Sequence, residues 1–206
     1  MIEIPSGLPA ELVPLSWLLG VWEGTGVVDY VIDDEPDAEG RVEHVQLEFG
    51  QRVSFSQDGL PYLNYTSYTW VLDEQQTPLA AETGYWRLGR LLTAADPGPG
   101  MLPGAPVRPF TRAEAVETLR NARGGFDLEV SIVHPDGVSE LYLGQVAGPR
   151  IDLATDAVMR TASAKDYAAA TRLYGLVDAH LLWAWDIAAL GNDLRTHASA
   201  RLAKVD

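Results

Sequence analysis

The sequence predicts an all-β fold, about ten short antiparallel strands closing into an up-and-down β-barrel. Short N-terminal helical turns and one inserted, helix-containing loop decorate it. Two observations carry this expectation. Strand-like runs rich in Val, Thr, Tyr and Trp recur along most of the chain between tight turn signals, the pattern of a meander that closes on itself. In addition, Gly20, Trp22, Gly24 and Gly26 form a G-x-W-x-G-x-G run at period two, so on a strand all four point to one face. Glycine weakens an ordinary strand. It is useful where a strand bends sharply or another backbone comes close, as at the corner of a small closed barrel, with Trp22 as a plug. The glycine offsets do not match a G-x-G-x-x-G phosphate loop, and a tryptophan sits inside the run.

The elements follow in order. Residues 9–19 place Leu12, Leu15, Leu18 and Leu19 at helix-like spacing, but Pro14 interrupts them, which predicts one or two short turns forming a lid or base. A first strand begins at Trp22, and residues 33–39, acidic around Pro36, read as a solvated loop. Residues 47–56 lead into Gln57, Asp58 and Gly59, a hairpin cue, answered by residues 62–72 and then 83–92. Residues 94–109 hold Pro97, Pro99, Pro103, Pro106 and Pro109 among glycines, which excludes regular structure. Thr111 with Glu114 makes a capping box before Ala113, Val116 and Leu119, predicting a helix over 111–122. Strands at 127–134 and 138–146 flank a turn at Pro135, Asp136 and Gly137, and runs at 151–154, 168–174, 180–190 and 195–205 complete the set. One domain, residues 1–206, is expected, with insertions at about 33–46 and 94–125.

Composition narrows the function classes. The net charge of −14 argues against nucleic acid and anionic membrane as partners, because both need clustered Lys and Arg. Without cysteine there is no disulfide, thiolate metal site or thiol nucleophile, which suits a reducing cytoplasm. Met1, Ile2, Glu3 and Ile4 lack a basic leader, and no apolar run approaches the roughly 18 residues of a membrane helix, so a cytoplasmic protein is expected. There is no G-x-S-x-G elbow and no H-E-x-x-H pair. His44, His134, His180 and His197 are dispersed, none at metal-ligand spacing from another. Glu82 with His134 can be assembled as an acid–base pair, but two such residues occur in almost any chain. Trp22, Trp70, Trp86, Trp183 and Trp185 read as core or pocket wall.

Taken together, the G-x-W-x-G-x-G run, the 59–65 stretch, the 82–87 stretch, His134 to Gly137 and the tail from Asp186 to His197 resemble the nitrobindins. These are small haem-binding barrels, calycin- or lipocalin-like and related in shape to fatty-acid-binding proteins. The resemblance implies a ferric b-type haem with an open iron position, binding of nitric oxide and isomerisation of peroxynitrite to nitrate. Its partners would be haem and small nitrogen oxides, with a homodimer as the assembly open to it. His197 takes the part of the axial iron ligand, and Lys165, in Ala164-Lys165-Asp166, that of a contact to a haem propionate. The family's Tyr-Pro-Thr-Ile stretch is here Tyr30-Val31-Ile32-Asp33, so the threonine that helps to bind haem is missing. Peroxynitrite isomerisation at iron needs no protein acid or base, in keeping with the lack of another catalytic constellation.

The residues themselves pull the other way at His197. On a regular strand it shares a face with Arg195, Ser199 and Arg201, while Thr196, Ala198, Ala200 and Leu202 form the apolar face. Periodicity alone therefore puts His197 outside, although a polar lumen near a barrel mouth, or a partly helical alanine-rich tail, would relax that assignment. His134, before a turn, reads as a hairpin-edge residue or as a group on the far side of the ligand; His44 and His180 read as surface residues. The competing class is a non-haem barrel carrying a fatty acid or other lipophile, supported by Ile32 and by the face of His197.

Overall fold

A computed structural model describes residues 7–33 and 43–205; the N-terminal residues and nearly all of the acidic 33–39 loop lie outside these. The ten described strands are β1 (Gly20–Asp33), β2 (Glu43–Ser56), β3 (Leu63–Val71), β4 (Pro78–Leu88), β5 (Phe126–Val133), β6 (Val138–Ala147), β7 (Arg150–Arg160), β8 (Tyr167–Val177), β9 (His180–Ala189) and β10 (Arg195–Lys204). Each pairs antiparallel with its sequence neighbour, and β1 pairs with β10, so the sheet closes with no free edge. This is the barrel expected from the meander. No helix among the described residues is long and apolar enough to cross a membrane.

The seam between β1 and β10 explains the glycine run. A Cβ on Gly24 would lie 2.3 Å from the Arg201 carbonyl oxygen, and one on Gly26 would lie 2.4 Å from both the Ser199 oxygen and the Phe49 ring. These positions admit only hydrogen, and the missing side chains let β10 approach closely enough to shut the barrel. Trp22 is buried as a plug, its indole N–H donating to the Leu18 carbonyl at 2.7 Å.

The two ends of the barrel differ. At the base, a 3₁₀ helix, Ala10–Leu18, contains Pro14 as expected and buries Leu12, Leu15 and Leu18. Trp22, Phe55, Leu63, Trp86, Leu128 and Leu202 fill the adjoining half of the lumen. The long β4–β5 connection lies at this end too. Arg90, just past β4, forms ion pairs with Glu11 of the 3₁₀ helix at 2.9 Å and with Asp96 at 2.6 Å.

Three expectations are corrected. The helix expected over 111–122 is one α turn, α1 (Ala113–Val116), followed by a 3₁₀ turn, Glu117–Leu119, and no side chain caps it. The chain must swing into β5: the Asn121 side chain accepts from the Arg123 and Gly125 amides, and the Arg120 guanidinium covers the Phe126 ring at 4.5 Å. The proline-rich 94–109 stretch holds a single 3₁₀ turn, Pro99–Met101, and is otherwise irregular. Residues 43–46, expected within an insertion, are already β2.

Candidate functional site

The other half of the lumen is open. Its cavity, about 300 Å³, is lined from β2 to β4 by Leu47, Phe49, Gln51, Tyr65, Ser67 and Glu82, and from the β5–β6 turn and β8 to β10 by His134, Arg172, Trp183, Trp185 and His197. Most of the wall is apolar and aromatic, with a few converging polar groups, the usual make-up of a small-molecule site. The polar groups are ordered: Trp183 donates to Gln51 Oε1 at 2.7 Å, and Gln51 donates to Ser67 at 2.9 Å.

His197 points into this cavity, against the periodicity of its strand. Thr196 pairs with Asp186 and Ala198 with the next β9 residue, Trp185, so His197 is an extra residue, a β-bulge. Before the bulge Thr196 faces solvent; after it Ala198 and Leu202 are buried, so the inward row changes from odd to even positions at His197. His197 and Ala198 consequently both line the cavity. The outward assignment fails because it assumed an unbroken strand, and the alternative of a partly helical tail fails because residues 195–204 are strand.

The imidazole sits between aromatic edges. Tyr30 and Trp185 each meet it edge to face at 5.1 Å, and the Tyr30 hydroxyl is anchored on the Ala189 carbonyl at 2.8 Å. Burial, with Arg172 nearby, pushes the His197 pKa down to about 4, so the ring is uncharged at neutral pH. Its Nδ1 is buried without a hydrogen-bond partner, as is Trp185 Nε1 beside it. A neutral imidazole open to a cavity is the donor that haem iron takes from a protein. Among the described residues no group of three or more His, Asp or Glu is arranged to hold a bare ion.

Facing the same cavity is a buried cluster that the sequence reading largely missed. Arg172 forks onto Glu82, with Nη1 and Nη2 each 2.8 Å from a carboxylate oxygen, and its Nε donates to Tyr142 at 3.0 Å. Its guanidinium also lies 4.2 Å from the Trp185 ring centre. Tyr65 donates to Glu82. Glu140, fully enclosed, accepts from Tyr142 and Tyr167 at 2.5 Å each and lies 2.7 Å from His134 Nε2. Burial works to raise both carboxyl pKa values, but Arg172 carries Glu82 down to about 2, and His134 with Arg172 holds Glu140 below its usual value. Both are carboxylates at neutral pH. The hairpin-edge reading of His134 is thus corrected: the ring lines the cavity, and Glu82 Oε2 lies 3.7 Å from its Nδ1.

Lys165 lies in the β7–β8 turn at the mouth, exposed and not among the cavity-lining residues. Its carbonyl accepts from Arg160 at 3.0 Å, and the neighbouring Asp166 carbonyl accepts from the Leu190 amide in the β9–β10 turn, which leads to His197. His44 pairs with Asp29 at the surface and His180 is turned to its own loop, as expected. Ile32 is on β1, but its side chain lies outside the described ones. Trp183 and Trp185 are cavity wall and Trp22 and Trp86 are core, whereas Trp70 packs over Gly50 on the barrel's outer side.

A closed barrel with an aromatic-walled cavity and a half-buried, uncharged imidazole defines a protein that holds a small-molecule ligand. Residues 11–204 match the model of the THAP4-like, heme-binding beta-barrel domain, and the chain belongs to that family. Haem is accordingly its cofactor, and the resemblance to the nitrobindins holds. The chain is 68% identical over the whole of both chains to a peroxynitrite isomerase of Leifsonia xyli subsp. xyli. It is 67% identical, again over the whole of both, to a peroxynitrite isomerase of Clavibacter michiganensis subsp. michiganensis. Among solved structures, that of Rv2717c from M. tuberculosis is similar with a TM-score of 0.65 at 25% identity, covering 99% of this chain and 100% of that one.

Proposed function

We propose that this protein is a peroxynitrite isomerase that works as a ferric b-type haem protein and also binds nitric oxide. The observation that carries the reading is His197, a half-buried, uncharged imidazole whose Nδ1 is unpartnered, set into an aromatic cavity by a bulge in β10. The full-length relatives named peroxynitrite isomerase support the reaction. When bound, haem would supply the iron chemistry of the isomerisation.

The chain's own residues hold that chemistry in place. His197 would hold the iron, its ring fixed in orientation by the edges of Tyr30 and Trp185. Phe49, Leu47 and the two cavity tryptophans give the lumen an apolar wall against which a flat ligand would pack. Lys165, exposed on the mouth, reaches for a propionate, an assignment supported by the resemblance and by its place in the turn beside β9–β10. The barrel positions cofactor and guest, and no protein acid or base is needed for the isomerisation itself.

The test is a hemin titration followed at the Soret band, together with stopped-flow peroxynitrite decay. A saturable one-to-one complex that is lost in His197→Ala is the expected result. Unchanged hemin binding in that variant sinks the ligand assignment. No acceleration of peroxynitrite decay over free hemin sinks the isomerase, and binding of a fatty-acid probe in place of hemin would establish the carrier instead.

A further inference from the structure

The proposed haem site leaves His134 unused, and its surroundings define what it can do. The Glu140 carboxylate has only lone pairs to offer, so the 2.7 Å contact requires the proton to be on His134 Nε2. In the uncharged ring Nδ1 is then a bare lone pair. Its recorded neighbour, Glu82 Oε2, is 3.7 Å away, beyond hydrogen-bond range, and Glu82 is already committed to Arg172 and Tyr65. Arg172 is likewise saturated by Glu82 and Tyr142, with Glu140 at 3.5 Å. At His134 the cavity wall thus offers a guest a proton acceptor on a ring clamped from behind.

The charges make this useful. The cluster holds Glu82 and Glu140 against Arg172 alone, one negative charge in excess, in a protein that already carries −14. A bare anion placed beside this cluster meets a like charge at low dielectric. We infer, resting on the haem reading above, that anionic nitrogen oxides bind in this cavity as their conjugate acids, leaving the proton on His134 Nδ1, which then donates a hydrogen bond back to the anion. The step balances: the H–X bond breaks with its electron pair staying on X, an N–H bond forms at Nδ1, and the total charge of cluster plus guest is unchanged. The groups facing His134 are Glu82 on β4, Glu140 on β6, Arg172 on β8 and the stacked Trp185 on β9, with ring centres 6.1 Å apart. Of these the two carboxylates are anionic and Arg172 is cationic. Neutral diatomic guests gain nothing from the device, so it separates anions from nitric oxide and carbon monoxide.

Azide is the probe. The hemin-reconstituted ferric protein is titrated with azide at pH 7, and the dithionite-reduced protein with carbon monoxide, for the wild type, His134→Phe and Glu140→Gln. A hydrogen bond to a charged group corresponds to a loss of about 10- to 100-fold in azide affinity in His134→Phe, with carbon monoxide affinity within about threefold. Glu140→Gln, which keeps an acceptor for Nε2–H but removes the charge behind it, falls between. It decides the matter should His134→Phe fail to fold. In the wild type, azide binding takes up about one proton from a weakly buffered indicator solution, and His134→Phe loses that uptake. Azide affinity unchanged in both variants overturns the inference, as does a parallel loss of azide and carbon monoxide, which would make His134 merely part of the cavity's shape. A wild type that binds no hemin overturns the haem reading as well, so the two failures are distinct.

Discussion

Arg172→Met removes a buried cation while roughly keeping its length, and its cost follows from what is left behind. Glu82 loses two hydrogen bonds of 2.8 Å and keeps only Tyr65; Glu140 keeps Tyr142, Tyr167 and His134. Breaking a buried ion pair from one side typically costs about 3–5 kcal/mol, and Glu82 is the group left exposed to that penalty. With a urea slope of about 2–3 kcal/mol per molar, the unfolding midpoint of the haem-free variant at pH 7 should fall by about 1–2 M. The penalty depends on pH with a definite sign. In the wild type Arg172 holds Glu82 at about 2; without it burial is opposed only by His134 and Tyr65, and the carboxyl moves up to its usual value of 4.5 or above. Between those values the variant takes up a proton that the wild type refuses, so the destabilisation should shrink by at least about 1 kcal/mol between pH 7 and pH 4. Arg172→Met combined with Glu82→Gln should recover part of the loss through the same pair. A midpoint shift of under about 0.3 M at pH 7, or a penalty as large at pH 4 as at pH 7, would refute the account of this cluster.

Two further outcomes follow from the same geometry. Gly26→Val places a side chain 2.4 Å from a β10 backbone oxygen, so the strands must part; a loss of about 2–3 kcal/mol is expected, with amide exchange accelerated along β1 and β10 and not along β5 and β6, and uniform exchange would contradict the seam argument. Glu82 has a folded pKa of about 2 against 4.5 unfolded, so its stabilisation is fully present above pH 4.5 and is lost as pH falls toward 2, about 3 kcal/mol from a difference of 2.5 units. Glu82→Gln should therefore flatten the acid limb of the stability profile, and an unaltered limb would assign acid unfolding to other groups.

The barrel was legible because period-two patterning and turn residues survive in a sequence read locally. The base half was legible for the same reason, since Trp22, Trp86 and Leu88 lie on the stretches of the inward rows that are apolar. The cluster was legible in principle: Arg172 lies between Ala170 and Tyr174, Glu140 between Val138 and Tyr142, and Glu82 two before Gly84, each a charge on an otherwise inward row. Such a charge marks either an error in the row or a buried partner, and only the pairing of β4, β6 and β8 around the lumen shows that the three are partners of one another. The short α1 was not legible, because a capping box states a local preference that Arg120 and Asn121 override through contacts with β5.

His197 shows why a site can be hidden where the fold is plain. A strand's side chains alternate strictly, so one extra residue reverses the face of everything beyond it. In β10 the bulge lets two demands coexist that a regular strand cannot meet. Ala198, Ala200 and Leu202 must face inward to pack against the glycines of β1, a register fixed by Gly24 opposite Leu202 and Gly26 opposite Ala200. The imidazole at an odd position must face inward as well, one turn nearer the mouth. No unbroken strand satisfies both. The seam that closes the barrel sets one phase and the cofactor site the other, and the bulge between Thr196 and Ala198 is where they meet. The glycine run and His197 are therefore two constraints on one strand, which is why a sequence pattern at the start of the chain and a histidine near its end belong to the same device.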